Sequence, residues 1–253
     1  MIARPTLLVM VMTLLAVPAC GRRIDLGSDL VWTALHETGN LSEWATPSPG
    51  GSMTDASDAS VVISSDFAHT GKYSVKLTNG AVGAVHTARL WHQGDFPKEA
   101  FYSVWYYLPR AYQTKVDWTI LQFRTPTDDP TVISQFLDVN LRSLPGGEMI
   151  LSVYDHRPQY LRLPTPDPAI EVPVGQWFQI EVFFRNVADD NGHFTLWLDG
   201  KLYYEISSRP MSGDPTVYWT PCSVTGDLSP SQSELYVDDA AISYDWLGPD
   251  SML

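Results

Sequence analysis

Four runs of this sequence alternate an apolar face with a face that could do chemistry. In residues 118–124, Leu121 and Phe123 oppose Gln122 and Arg124. In 135–142, Leu137, Val139 and Leu141 oppose Phe136, Asp138, Asn140 and Arg142. In 148–156, Met149, Leu151 and Val153 oppose Ser152, Tyr154 and His156. In 176–185, Phe178, Ile180, Val182 and Phe184 oppose Trp177, Gln179, Glu181, Phe183 and Arg185. A period of two is that of a β-strand with one face in a core. If these strands are neighbours, their second faces merge into one surface. Rings would offer flat apolar area to the C–H faces of sugars, while amides, arginines and carboxylates would hydrogen-bond hydroxyls. Arg124, Asp138, Gln179 and Glu181 would then bind a saccharide, with Trp105, Tyr107 and Trp197 as platforms. Cleavage by elimination asks for more: a uronate carboxylate must be neutralised, the proton beside it removed, and the leaving oxygen protonated. Gln122, Asn140 and Arg142 could neutralise, and Tyr154 or His156 could serve as base and acid. Arg124, Arg142, Arg157, Arg162 and Arg185 make this region locally basic. Any half-solvated sheet also turns polar residues outward, so the pattern alone leaves a groove and a plain surface both open.

The elements that must position these residues are strands. Residues 174–206 read as a three-stranded antiparallel meander, in which Phe194, Leu196 and Leu198 alternate with polar or aromatic neighbours. Asp199-Gly200 joins two of its strands, the short hairpin signal that a type I′ turn requires, with positive φ at both central positions. Further strands are expected at residues 60–64, 73–77, 100–108, 118–124, 132–142, 148–156 and 234–244, with irregular chain at 210–233. No long amphipathic helix is visible. Around a dozen short strands in 253 residues with 19 prolines predict an all-β fold. The fold class is a single antiparallel β-sandwich, a jelly roll over residues 31–246, with 247–253 as a tail. The net charge of −13 argues against a nucleic-acid partner, whose phosphates need a basic face. It also counts weakly against an anionic substrate. No phosphate loop, dinucleotide fingerprint, Gly-x-Ser-x-Gly or His-Glu-x-x-His occurs.

Residues 1–19 read as a leader, with Arg4 before an apolar stretch too short to span a bilayer as a mature helix. It ends in Val17-Pro18-Ala19-Cys20, which resembles the bacterial lipobox and would make Cys20 a lipidation site, with 20–30 as a tether. An ordinary secretory signal cut near Ala19 is the alternative. Either reading exports the chain, as a surface lipoprotein or a periplasmic or secreted protein, touching membrane only through the lipid. If Cys20 carries lipid, Cys222 is a free, buried thiol. A monomer is expected.

Several pieces taken together resemble a known family. They are Glu37-Thr38-Gly39-Asn40-Leu41-Ser42-Glu43-Trp44, His69-Thr70-Gly71-Lys72-Tyr73-Ser74 and Leu235-Tyr236-Val237-Asp238-Asp239-Ala240-Ala241-Ile242, with Val174-Gly175-Gln176-Trp177 and Asp199-Gly200 between them. Their order resembles the concanavalin-A/laminin-G-type jelly rolls, and within these the polysaccharide-lyase-like proteins of the heparin and alginate lyase type. The resemblance implies an extracytoplasmic protein that binds an acidic polysaccharide and cleaves it by β-elimination. The related alternatives are a non-catalytic carbohydrate-binding lipoprotein and a laminin-G-like adhesion module with protein partners. Two motifs depart from the lyase pattern. His86-Thr87-Ala88-Arg89-Leu90 stands where an Arg-x-Glu pair is usual, and Gln122-Phe123-Arg124 where Gln, an aromatic and His are usual. Catalysis and binding alone therefore both stay open. The related binding modules also imply a structural Ca²⁺, held by the Glu37 and Asp238 carboxylates and the Leu35, His69 and Lys72 carbonyls. Alternation places Asp238 inward with Ala240 and Ile242. Without metal, that carboxylate would have to accept backbone N–H bonds.

Overall fold

The computed structural model describes residues 29–47, 49–126, 133–156 and 161–251. The leader, Cys20 and Arg157 lie outside them. Fourteen strands follow in order: β1 (Leu30–Ala34), β2 (Gly50–Thr54), β3 (Ser60–Ser64), β4 (Ser74–Asp95), β5 (Glu99–Tyr107), β6 (Gln113–Thr114) and β7 (Trp118–Pro126). Then come β8 (Ile133–Ser143), β9 (Met149–Asp155), β10 (Leu161–Arg162), β11 (Trp177–Arg185), β12 (His193–Leu198), β13 (Lys201–Ile206) and β14 (Thr216–Ser243). Among the described residues one 3₁₀ turn, Ser42–Ala45, is the helical exception. Among the described residues no helix is long and apolar enough to cross a membrane.

The pairing is antiparallel and continuous in the order β10-β9-β8-β7-β14-β5-β11-β12-β13. This ladder folds into two layers because β14 belongs to both. Its first part pairs with β7, from Tyr218↔Arg124 to Val224↔Thr119, and its second with β5, from Tyr236↔Tyr107 to Ser243↔Phe101. Strand β4 runs beside it through the same crossing. The front layer is thus β10-β9-β8-β7, the first part of β14, the second part of β4, and β2. The back layer is β13-β12-β11-β5 with the remaining parts of β14 and β4, β3 and β1. Apolar side chains fill the space between. Tyr102 of the back layer meets Phe123 of the front at 5.1 Å, Phe123 meets Phe184 at 5.2 Å, and the Tyr106 hydroxyl donates to the Ile120 carbonyl at 2.7 Å. Trp44, Trp118 and Trp219 are fully enclosed. Burying a large side chain of this kind contributes roughly 2 kcal/mol or more, so the sandwich is held chiefly by its two inner faces.

The meander forms as expected. Asp199 and Gly200 take φ of 48° and 70°, and Leu198 pairs with Lys201 across the turn. The span from 210 to 233 does not. Proline cannot donate to a ladder, yet Pro221 and Pro230 both lie within β14. Pro221 sits where the register against β7 shifts, and Pro230 where the register against β4 jumps from Asp227 to Gln232. Both therefore fall at bulges or bends and leave β14 intact. A buried polar knot fixes the crossing. The Asn79 amide donates to the carbonyls of His86 and Ser223, each at 2.9 Å, and its oxygen accepts from the Ser223 and Ser233 hydroxyls. Trp118 donates its indole N–H to Ser223 at 2.9 Å. Residues 247–248, expected in a free tail, pack on the back layer, where Leu247 is buried.

Candidate active site on the front sheet

The outer face of the front layer is built by register. Thr220 of β14 faces Gln122 of β7, Gln122 faces Asp138 of β8, Asp138 faces Tyr154 of β9, and Tyr154 faces Arg162 of β10. Five adjacent strands thus carry one row of functional side chains, about 19 Å long at the usual strand spacing. A second row places Tyr218 between Gln93 of β4 and Arg124. Beside these rows lies a groove of about 380 Å³ lined by Ser52, Met53, Arg89, Trp91, Gln93, Arg124, Tyr218 and Thr220. The rings of Trp91 and Tyr218 stand 6.0 Å apart in it.

The electrostatics of the groove ask for an anion. Burial, then the neighbouring Arg89 charge, hold the Arg124 guanidinium below its usual value. The Arg89 Nε, Gln122 Oε1, Arg142 Nε and Thr220 Oγ1 atoms are buried without a hydrogen-bond partner among the described residues. An unmet buried polar atom costs about 1–3 kcal/mol, so several on one surface mark a place where a polar ligand supplies what the chain does not. Asp138 is held by two neighbours: Gln122 donates to its Oδ1 at 3.3 Å, and its Oδ2 meets His156 Nε2 at 2.8 Å. Asn140 Oδ1 accepts from Thr119 at 2.6 Å, and its amide reaches the Ser152 carbonyl at 3.3 Å. The Tyr154 hydroxyl donates to Asp117, which also accepts from Arg162 at 2.9 and 3.0 Å. Cys222 is a free, buried thiol, and burial pushes it up to about 12, so it is inert.

The front sheet therefore brings together Gln122, Arg124, Asp138, Asn140, Tyr154 and His156 from among the expected residues. Arg142 shares their sheet but lies four residues, about 13 Å, along β8 from Asp138. The expected platforms and two of the expected binders are elsewhere. Trp105, Tyr107, Gln179, Glu181 and Trp197 all belong to the back layer, because β11 pairs with β5 and β12 rather than with β7, β8 or β9. Alternation assigns a residue to a face but not to a layer. Trp105 is buried under the His69 ring at 3.7 Å, and Tyr107 stacks on Phe67 at 4.3 Å. Gln179 donates to Ser103 and to the Gly248 carbonyl at 2.8 and 3.0 Å. Glu181 accepts the Leu247 and Gly248 N–H groups at 2.8 Å each, and burial pushes its carboxyl up to about 7.

Arg89, Trp91, Gln93, Tyr218 and Thr220 were missed. The signal was present: Arg89, Trp91 and Gln93 alternate with Ala88, Leu90 and His92, and Tyr218 and Thr220 with Val217 and Trp219. The first run was set aside as a departure from a motif, and the second lay in a span read as irregular.

The two carboxylates expected to hold calcium are hydrogen-bonded within the chain. Glu37 Oε1 accepts the N–H groups of Lys72 and Tyr73, each at 2.9 Å. Asp238 Oδ2 accepts the His69 N–H at 2.8 Å, and its Oδ1 meets His36 Nδ1 at 3.0 Å and accepts the Asp239 N–H at 2.9 Å. Both carboxylates thus accept backbone N–H bonds. No group of three or more His, Cys, Asp or Glu side chains among the described residues is placed to hold a metal.

The fold is shared with enzymes of known structure. The endo-β-1,4-glucuronan lyase of the fungus Trichoderma reesei superposes with a TM-score of 0.66 at 14% identity, covering 88% of this chain and all of that one. The alginate lyase Aly36B, in complex with an alginate trisaccharide, superposes at 0.58 with 11% identity, covering 85% and 98% of the two chains. A marine alginate lyase from Aplysia kurodai gives 0.55 at 11% identity, covering 85% and 99%. No curated protein sequence matches the chain. Residues 36–217, which carry the Arg89 strand, the Gln122 strand and the Asp138–His156 pair, match the polysaccharide lyase family, and the chain belongs to that family.

Proposed function

We propose that this protein cleaves an anionic, uronate-containing polysaccharide by β-elimination in the groove of the front sheet. The observation that carries this reading is the convergence of Arg89 and Arg124 on one groove whose neighbouring polar atoms, Arg89 Nε, Gln122 Oε1 and Thr220 Oγ1, have no partner among the described residues. The guanidinium groups would hold the uronate carboxylate and stabilise the charge that develops when the adjacent carbon loses its proton. Tyr218, set between Gln93 and Arg124, is the group placed to move that proton. As the C–H bond breaks, its electron pair forms a carbon–carbon double bond and the glycosidic C–O bond opens. The leaving oxygen takes a proton from the enzyme. His156, held through Nε2 by Asp138, is a positioning partner for Gln122 through their shared carboxylate.

The test is turnover of glucuronan and alginate, followed by the ultraviolet absorbance of the new double bond. Arg89→Ala and Tyr218→Phe are expected to lower turnover about 100-fold or more while the unfolding midpoint holds. Binding without cleavage is the second reading. It is favoured by the engagement of both groups first expected to move protons, Tyr154 with Asp117 and His156 with Asp138. Retained polymer binding with no rise in absorbance would select it. The leader supports export and a lipid anchor on Cys20, and incorporation of labelled palmitate that is lost in Cys20→Ser tests that part.

A further inference from the structure

We propose that the outer face of the back sheet carries a second saccharide site, for an uncharged glycan. This site does not depend on turnover in the front groove. A cleft of about 450 Å³ lies there, with Phe101, Phe183, Trp197 and Trp246 as its rings and His193 and Glu205 on its rim. Its floor is set by register. Phe101 of β5 faces Phe183 of β11, which faces Thr195 of β12, which faces Glu205 of β13. The Phe101 and Phe183 rings stand 5.0 Å apart, and Trp197 lies 6.2 Å from Phe101.

Trp246 shows that the cleft is built rather than incidental. It is 48% exposed, yet it leads directly into a turn held by Glu181, which is 0% exposed. That carboxylate accepts the N–H groups of Leu247 and Gly248, so the turn beside the ring is fixed. Enclosing a carboxylate is costly. Here that cost orients an exposed aromatic face at the edge of a ring-floored cleft. A pre-oriented ring loses little freedom when a ligand stacks on it.

Chemistry and charge select the occupant. A pyranose offers one flat C–H face to rings and hydroxyls to a polar edge, which is the pairing of surfaces found here. The charged groups at this cleft are matched internally: Glu205 pairs with His193 at 2.9 Å, and Arg185 with Glu99 at 2.7 Å. The front groove, by contrast, sets Arg89 and Arg124 side by side. A uronate would find no unpaired cation among the described residues of the back cleft, so a neutral sugar fits it. The volume has room for one or two sugar rings lying on an open, ring-lined face.

The experiment is titration of the intact protein with cellohexaose, xylohexaose and mannohexaose, read by tryptophan fluorescence and calorimetry. Trp197→Ala and Trp246→Ala are each expected to weaken binding of the preferred sugar about tenfold or more. Leu202→Glu, at an exposed position on the same cleft, should weaken it while leaving the Glu181 turn untouched. Arg89→Ala, which disables the front groove, should leave neutral-sugar binding unchanged. The proposal is overturned if the wild-type protein binds none of the three, if binding survives all three cleft variants, or if Arg89→Ala removes it. It is also overturned if Trp246→Ala instead abolishes a concentration-dependent dimer, since the occupant would then be a second copy.

Discussion

Glu181 should make this protein less stable as pH rises through the weakly acidic range, and Glu181→Gln should remove that trend. The carboxyl is fully enclosed on the back layer. Burial is the dominant influence and raises it from 4.5 to about 7, against the opposing pull of the Leu247 and Gly248 N–H groups and the Trp246 indole. The folded protein therefore holds this proton more tightly than the unfolded chain does. Its contribution is fully present below about pH 4.5, falls between there and about pH 7, and is gone above. A gap of roughly 2.5 units at about 1.4 kcal/mol per unit amounts to on the order of 3 kcal/mol. The glutamine amide mimics the protonated carboxyl: it keeps one acceptor for the turn and cannot ionise. Urea unfolding of both proteins, followed from pH ~4 to ~8 at fixed ionic strength, isolates the term as the difference between the two curves, since the other titrating groups are common to both. The variant should be similar to the wild type or about 1 kcal/mol weaker at the acidic end, and should gain relative to it by about 3 kcal/mol at the basic end. A difference that stays constant to within about 1 kcal/mol across the range would show that Glu181 is solvated, and would dissolve the anchoring of Trp246 with it.

Three further outcomes follow from the geometry. Asn79→Ala removes the centre of the knot at the β4–β14 crossing and leaves the Ser223 and Ser233 hydroxyls short of an acceptor; urea unfolding should show a loss of about 3 kcal/mol. Gly71→Ala drives a Cβ into the Glu37 carboxylate at a φ of +59°, so it should destabilise by about 2 kcal/mol or more in the same assay. Chelation should leave the thermal midpoint unchanged, because N–H donors and His36 already occupy Glu37 and Asp238; a drop in chelator that calcium restores would refute that assignment.

The parts of the fold legible in the sequence are those set by local pattern. The Asp199-Gly200 turn needs positive φ at two adjacent residues, and the sequence places an Asp-Gly pair there. The faces of β7, β8 and β9 follow from alternation, and these strands are joined in series, so Gln122, Asp138, Asn140 and Tyr154 were found together. Layer assignment is not local. Nothing within 176–185 says that β11 lies against β5 rather than β9, and Gln179 and Glu181 were misplaced for that reason. The two crossing strands were hidden by the residues that let them cross: Gly80 and Gly83 in β4, Pro221 and Pro230 in β14. Here such breakers bend strands rather than end them. The central part of the groove, Arg89, Trp91, Tyr218 and Thr220, stands on those two strands, so one error about bends became an error about the site.

The net charge of −13 counts only weakly against an anionic substrate. Charges separated by more than about 8 Å of salt solution are largely screened from one another, whereas a ligand in the groove touches the Arg89 and Arg124 side chains directly. Arg124 is also partly desolvated, which strengthens its attraction to a bound carboxylate relative to a guanidinium in open water. Asp138, a carboxylate whose charge acts on Arg124, is already engaged by Gln122 and His156. Long-range repulsion would thus slow the approach of an anionic polymer without weakening its seat. Moderate salt should accordingly raise the association rate with such a polymer before higher salt lowers its affinity, while neutral-sugar binding on the back sheet should be indifferent to both. Equal salt dependence at the two faces would mean that one site, not two, is being observed.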